Sequence, residues 1–199
     1  MKLFLSGLIY AAEVFPIMNI PNFLSVLRIV MVPVIIIFLL QDMHFEALIA
    51  FGIAGVTDVF DGLIARAFNR KTAVGAFIDP LADKLLLSSM YITLAVIGLI
   101  PSWLTVLVIS RDFIITLGIL VLYMMSIKYE MKPAFISKVT TVLQIVTILF
   151  ALLYQFIGHL IAYNWVVVFF WVTAAFTIAS GFVYISRGIR YINSASATS

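Results

Sequence analysis

"TDVFDGLIARAFNRKTAVGAFIDPLADKLL" (Thr57–Leu86) sets four aspartates, Asp58, Asp61, Asp79 and Asp83, into a chain that is otherwise strongly apolar. The whole chain carries nine acidic residues, so close to half of them fall in this one stretch. The segments on either side of its polar break read as membrane interior. Burying one aspartate at mid-membrane costs roughly 2.5–3.5 kcal/mol on insertion scales. Four isolated ones would cost on the order of 10 kcal/mol, comparable to the stability of a typical domain. Like charges this close also repel one another. The stretch demands a compensating partner.

Composition identifies the solvent. Hydrophobic residues make up 64% of the chain and charged residues 11%, with a mean hydropathy of +1.21. A soluble domain carries about 25% charged residues, so too little polar surface is present to coat a soluble globule. An integral membrane protein is expected, with length for one helical bundle and no sizeable soluble appendage. The net charge of +3 is read as a topology signal, not as a nucleic-acid footprint. The absence of cysteine excludes disulfides, thiolate chemistry and zinc-thiolate sites.

A spanning helix needs about 20 mostly apolar residues. Six segments qualify, near Leu24–Leu40, Phe45–Phe68, Ala76–Leu99, Trp103–Met125, Ile136–Ile157 and Tyr163–Ile185. Their apolar runs are continuous rather than alternating, which points to helices and not to a barrel. The breaks at 41–44, 100–102 and 158–164 hold no Lys or Arg. Arg66, Arg70, Lys71, Lys128, Lys132, Lys138, Arg187 and Arg190 collect on the opposite side. By the positive-inside rule both termini are cytoplasmic. The fold expected is thus an all-α integral membrane protein, a six-transmembrane-helix bundle. Residues 1–17 read as an N-terminal extension, with Glu13 interrupting what would otherwise resemble a signal peptide. Residues 18–192 form the membrane domain, and 193–199 ("NSASATS") read as a disordered tail. His44 and His159 read as loop residues, and "YNWVVVFFW" as lipid-facing or interfacial surface.

Within the second segment Asp58 and Asp61 stand at i, i+3 on one helical face, and Ala65 continues it. In the third, Asp79 and Asp83 form an i, i+4 pair. Asp79-Pro80 also reads as a helix start, with Asp79 as cap and proline at the first position. Arg66, Arg70 and Lys84 are candidate counter-ions. Divalent cations are the more economical compensation. A donor set of carboxylates without histidine or cysteine suits Mg²⁺, Mn²⁺ or Ca²⁺. A pair of such ions suits phosphoryl chemistry, stabilising attacking and leaving oxygens together. Gly62, Ala65 and Gly75 are interleaved with the carboxylates; small residues there serve helix packing or let a phosphate approach the backbone.

Asp58-x-x-Asp61-Gly62-x-x-Ala65-Arg66, eight residues, Gly75-x-x-x-Asp79-x-x-x-Asp83 resembles the full signature of the CDP-alcohol phosphatidyltransferases. The resemblance covers Met18 to Ile192. It implies that a CDP-linked donor, CDP-diacylglycerol, binds through its diphosphate to two Mg²⁺ or Mn²⁺ ions, and that an acceptor hydroxyl displaces CMP. Asp58, Asp61, Asp79 and Asp83 would ligate metal, with Asp83 also the general base. Gly62, Ala65, Arg66 and Gly75 would line the CMP and diphosphate pocket. The family further implies a homodimer and a cytoplasm-facing site, in a bacterial inner membrane.

"NIPNFLSVLR" resembles an element of the glycerophospholipid-making branch through Asn22, Ser25 and Arg28. Arg28 is read either as acceptor-binding or as snorkelling to the interface. Arg111 and Asp112 form an ionisable pair inside an apolar span, a functional candidate by default with a structural ion pair as the alternative. Phosphatidylglycerophosphate synthases, whose acceptor is glycerol 3-phosphate, tend to carry an additional arginine after this region and a second lysine near Lys138; both are missing. "KPAFISKVTTVLQ" (Lys132–Gln144) instead resembles cardiolipin synthases of the same fold, whose acceptor is phosphatidylglycerol. The acceptor expected is therefore phosphatidylglycerol, with glycerol 3-phosphate as the alternative, and Arg28, Arg111 and Lys138 as its binding residues. Intramembrane prenyltransferases hold their Asp-rich motifs further apart. A carboxylate-lined cation transporter would not need Gly62, Ala65, Arg66 and Gly75 at this spacing.

Overall fold

A computed structural model describes residues 20–68, 73–125, 135–158 and 163–196, with side chains at 20–25, 58–68, 73–80, 123, 157 and 194–196 outside the description. Six helices and no strands occur among the described residues. They are α1 (Ile20–Leu40), α2 (His44–Phe68), α3 (Ala73–Val96), α4 (Ser102–Met124), α5 (Phe135–Ile157) and α6 (Tyr163–Ser196). The chain divides into two compact units, Met1–Leu86 and Leu87–Ser199.

Two of the expected breaks are built as helix terminations. At the end of α3, Leu99 N donates to Leu94 O at 2.8 Å and Gly98 N to Ala95 O at 3.2 Å. Gly98 sits at φ +80°, the left-handed position of a Schellman cap. The end of α1 repeats the motif: Met43 N donates to Phe38 O at 2.9 Å and Asp42 N to Leu39 O at 3.3 Å. There the left-handed residue is Asp42, at φ 59°, a side chain that tolerates this region better than most. Pro101 O then accepts from Leu104 N and opens α4.

In the first unit α1 packs on α2. Ile35 and Leu39 from α1 and Ala47, Ala50, Phe51 and Ala54 from α2 are buried. In the second unit α6 packs on both α4 and α5. Thr147–Thr173, Phe150–Phe169 and Tyr154–Tyr163 pair α5 with α6; one number rises as the other falls, so these helices are antiparallel. Trp103–Trp171 and Arg111–Ser180 pair α4 with α6 in parallel. Tyr91 ties α3 to the same unit, its hydroxyl donating to Gln144 O and its carbonyl accepting from Thr105 Oγ1.

The interior mixes polar residues with apolar ones, and large apolar side chains also line the outside. The interior faces hold Thr93, Thr105, Arg111, Thr140, Gln144, Thr147, Thr173, Thr177 and Ser180, while Val106, Phe113 and Leu120 at seven-residue spacing line the outer face of α4. Polar groups inside and apolar groups outside is the arrangement a lipid solvent selects. Among the described residues three helical segments are long and apolar enough to cross a membrane: Ser102–Leu122, Phe135–Phe156 and Tyr163–Asn193. The apolar stretches described in α1 and α2, Val26–Leu40 and His44–Thr57, are shorter.

Three details depart from the sequence reading or lie beyond it. The segment expected from Ala76 is helical from Ala73, so the alternative reading of Asp79-Pro80 as a helix start does not hold and this dipeptide lies inside α3. In an apolar medium unwinding the preceding residues would expose more backbone polar groups than one proline frees. The last helix runs to Ser196, so residues 193–196, read as part of a disordered tail, are helical; adding residues to a formed helix is inexpensive where no proline intervenes. The 1–17 extension and His159 lie outside the described residues.

Candidate functional site

The signature residues fall on two consecutive helices. Asp58, Asp61, Gly62, Ala65 and Arg66 lie in the second half of α2, and Gly75, Asp79 and Asp83 in the first half of α3. Of these side chains only Asp83 is among those described. Asp79 and Asp83 are one turn apart and share a face of α3.

Asp83 has a defined counter-ion. Arg28 of α1 donates from Nη1 to Asp83 Oδ1 across 55 residues of sequence. The two ends of the pair have different surroundings: the arginine side chain is 1% exposed and the carboxylate 43%. Arg28 therefore does not snorkel to the interface. Its guanidinium lies inside the fold, on the α1–α2 pair, and is turned towards α3. Sequence reasoning named Arg66, Arg70 and Lys84 as counter-ions and missed this one, although an arginine in an apolar span is itself a sign that a carboxylate waits elsewhere.

The second buried arginine, Arg111 in the middle of α4, is 8% exposed. Its Nη1 donates to Asp112 Oδ1 at 2.7 Å. Nε and Nη2 donate to Ser180 Oγ of α6 at 3.2 and 2.9 Å. Nη2 also donates to Ser137 Oγ in the first turn of α5, and the guanidinium carbon stands 5.9 Å from the Tyr184 ring centroid. The pair read from "SRDF" is thus formed, and it is the hub of a junction joining α4, α5 and α6. Ser137, Ser180 and Tyr184 were not singled out in the sequence. The available signal was a polar stripe on each of two apolar helices: Ser137, Thr140 and Gln144 on α5, and Thr173, Thr177 and Ser180 on α6. Lys138, next to Ser137, is exposed. His44 is partly buried at the start of α2, its Nδ1 without a partner among the described residues.

The donor set carried by α2 and α3 is all-oxygen, and its one described member is 43% exposed. Both properties fit a hard divalent cation. The Arg28 contact supplies charge compensation for this carboxylate.

Over residues 18–179 the chain matches the CDP-alcohol phosphatidyltransferase family. It is 39% identical to a cardiolipin synthase (CMP-forming) of Rattus norvegicus over 146 residues, 65% of this chain and 48% of that protein. It is 37% identical to a probable phosphatidylglycerophosphate synthase of Mycobacterium tuberculosis over 190 residues, 92% of this chain and 87% of that one. It is 32% identical to a CDP-diacylglycerol–glycerol-3-phosphate 3-phosphatidyltransferase of Bacillus subtilis over 184 residues, 85% and 94% of the two chains. The chain thus spans about half the length of the mammalian relative and nearly all of the bacterial ones.

Proposed function

The chain belongs to the CDP-alcohol phosphatidyltransferase family, and from that premise we propose that it transfers a phosphatidyl group from CDP-diacylglycerol to an alcohol, releasing CMP, in anionic phospholipid synthesis. The observation that carries this reading is the placement of the complete eight-position signature on α2 and α3, with Asp83 paired to Arg28 and its side chain 43% exposed.

In this reading the acceptor hydroxyl forms a new bond to the phosphorus that bears the lipid. The bond from that phosphorus to the oxygen shared with CMP breaks, and CMP departs with the electron pair. Asp83 takes the acceptor proton, a role that needs reach as well as basicity. Gly62, Ala65, Arg66 and Gly75 hold the CMP and diphosphate end, the small residues admitting the backbone to close approach. Asp58, Asp61 and Asp79, with Asp83, would hold two Mg²⁺ or Mn²⁺ ions. Such ions, when bound, supply positive charge to the attacking and leaving oxygens. We place the reaction in a six-span bundle with both termini and the site on the cytoplasmic side of a bacterial inner membrane, working as a homodimer.

The acceptor we favour is phosphatidylglycerol, on the strength of the Lys132–Gln144 segment and the missing second lysine. Glycerol 3-phosphate is the second reading, favoured by the near full-length match to relatives named for that acceptor or for its product. Lys138 is exposed and free to meet an acceptor phosphate, whereas Arg28 and Arg111 are engaged with protein groups; we assign these two a supporting role. The purified chain, given CDP-diacylglycerol, Mg²⁺ or Mn²⁺ and each acceptor in turn, is expected to release CMP with one of the two. No CMP with any alcohol would remove the transferase reading.

A further inference from the structure

The two halves of the signature sit on different helices, so their relative placement must be set by something other than local geometry. α1 carries none of the signature residues, yet it packs along α2 through Ile35, Leu39, Ala47, Ala50, Phe51 and Ala54, all buried. That makes α1 and α2 one body, and this body carries Asp58 and Asp61. From it the Arg28 guanidinium reaches α3 and binds Asp83. Arg28 is thus a cross-brace between the helix bearing one carboxylate pair and the helix bearing the other.

The asymmetry of the pair says what the brace is for. A pair that served only to cancel two stranded charges would be buried at both ends, because exposure of one end weakens the attraction through solvent screening. Here the cation is 1% exposed and the carboxylate 43%. Arginine suits this use: its planar guanidinium is always charged and gives directional hydrogen bonds, where a lysine ammonium is a rotatable point charge. The carboxylate is gripped from within the fold while its other side faces outward.

We propose that Arg28 is a positioning residue for Asp83, fixing that carboxylate relative to the α2 carboxylates, and not a binding residue for the acceptor. The proposal rests on the transferase reading, and its test separates the two. Arg28→Met, Arg28→Lys, Asp83→Asn and the Arg28→Met/Asp83→Asn double variant are compared for CMP release, for Mn²⁺ binding by electron paramagnetic resonance and for thermal unfolding in detergent. Displacement of a reacting group by about 1 Å costs on the order of 100-fold in rate. Arg28→Met is accordingly expected to lower kcat roughly 100-fold with the acceptor KM unchanged, and to weaken Mn²⁺ binding. Arg28→Lys is expected to recover part of the rate at an unaltered unfolding midpoint, and it carries the test if the methionine variant fails to fold. Groups acting as a unit are non-additive, so the double variant should be no slower than Asp83→Asn alone. A raised acceptor KM with intact kcat, multiplicative losses in the double variant, or Arg28→Lys indistinguishable from Arg28→Met would overturn the proposal. A wild-type chain that releases no CMP sinks the transferase reading instead; Mn²⁺ binding and the unfolding cycle still test the brace, which then fails if the two residues show no coupling.

Discussion

Replacing Arg111 by methionine removes the hub that joins α4 to α5 and α6 while keeping most of the side-chain volume. The structure allows the cost to be worked out. Interhelical hydrogen bonds in membrane proteins average about 0.6 kcal/mol each, with a maximum near 1.7. The three contacts to Ser137 and Ser180 therefore amount to roughly 2 kcal/mol. Stripping one partner from a fully buried ion pair costs about 3–5 kcal/mol, but Asp112 is 21% exposed, so about 1–2 kcal/mol of that penalty is expected here. The ring of Tyr184 adds about 0.5–1 kcal/mol. The sum is near 4 kcal/mol, with a lower bound close to 3 because neighbouring groups relax. The hydroxyl contacts and the lost ion pair thus contribute comparably, and neither alone accounts for the loss. Ser180→Ala, which removes two contacts, should cost about 1 kcal/mol and Ser137→Ala about 0.6. Unfolding by denaturing detergent, followed by tryptophan fluorescence, reads these values directly, because Trp103 and Trp171 lie 5.0 Å apart across the α4–α6 interface. The reasoning fails if Arg111→Met unfolds within about 0.5 kcal/mol of the wild type, or if Ser180→Ala costs as much as the arginine change.

Asp83→Asn should abolish turnover more completely than it weakens CDP-diacylglycerol binding; a variant that keeps wild-type rates removes Asp83 from the base role. Chelation is expected to stop CMP release, with Mg²⁺ or Mn²⁺ restoring it; activity that survives exhaustive chelation would count against the carboxylate cation site. The Thr147 and Thr173 hydroxyls meet at 2.7 Å inside the α5–α6 contact. Thr147→Val or Thr173→Val alone should cost about 0.6–1.7 kcal/mol, and both together less than the sum, because either single change already removes the shared hydroxyl–hydroxyl bond while the remaining hydroxyl keeps Leu143 O as acceptor. Additive losses in the same detergent titration would contradict that.

Helix positions were largely legible in the sequence, because apolar length and polar breaks report directly on the solvent. The turn at Asp42 falls in a break that composition had marked, and the one at Gly98 two residues before the break at 100–102, inside the segment read as running to Leu99. Less legible were the polar contacts between helices. Arg28 meets a residue 55 positions away and Arg111 one 69 positions away, and periodicity along one helix carries no information on which polar group of another will face it. Spacing alone assigns each carboxylate pair to one face of its helix, at i, i+3 and i, i+4. What opposes Asp83 was not legible there. The helical character of residues 193–196 escaped for a different reason: a run of serine and alanine reads as a tail by composition, although neither residue stops a helix already under way.

The length of α6 has a consequence for where the protein meets water. At 34 residues and 1.5 Å per residue it measures about 51 Å, against a hydrocarbon thickness of about 30 Å. Even tilted by 40°, the upper end of the usual range, it would still cover about 39 Å along the bilayer normal. Roughly two turns of this helix must stand clear of the hydrocarbon. Arg187 and Arg190, both exposed, lie on the overhanging end if the aromatic end near Tyr163 and Trp165 marks the opposite interface. A polar probe attached there would report from the headgroup layer, on a rigid arm anchored to the same interface as Arg111.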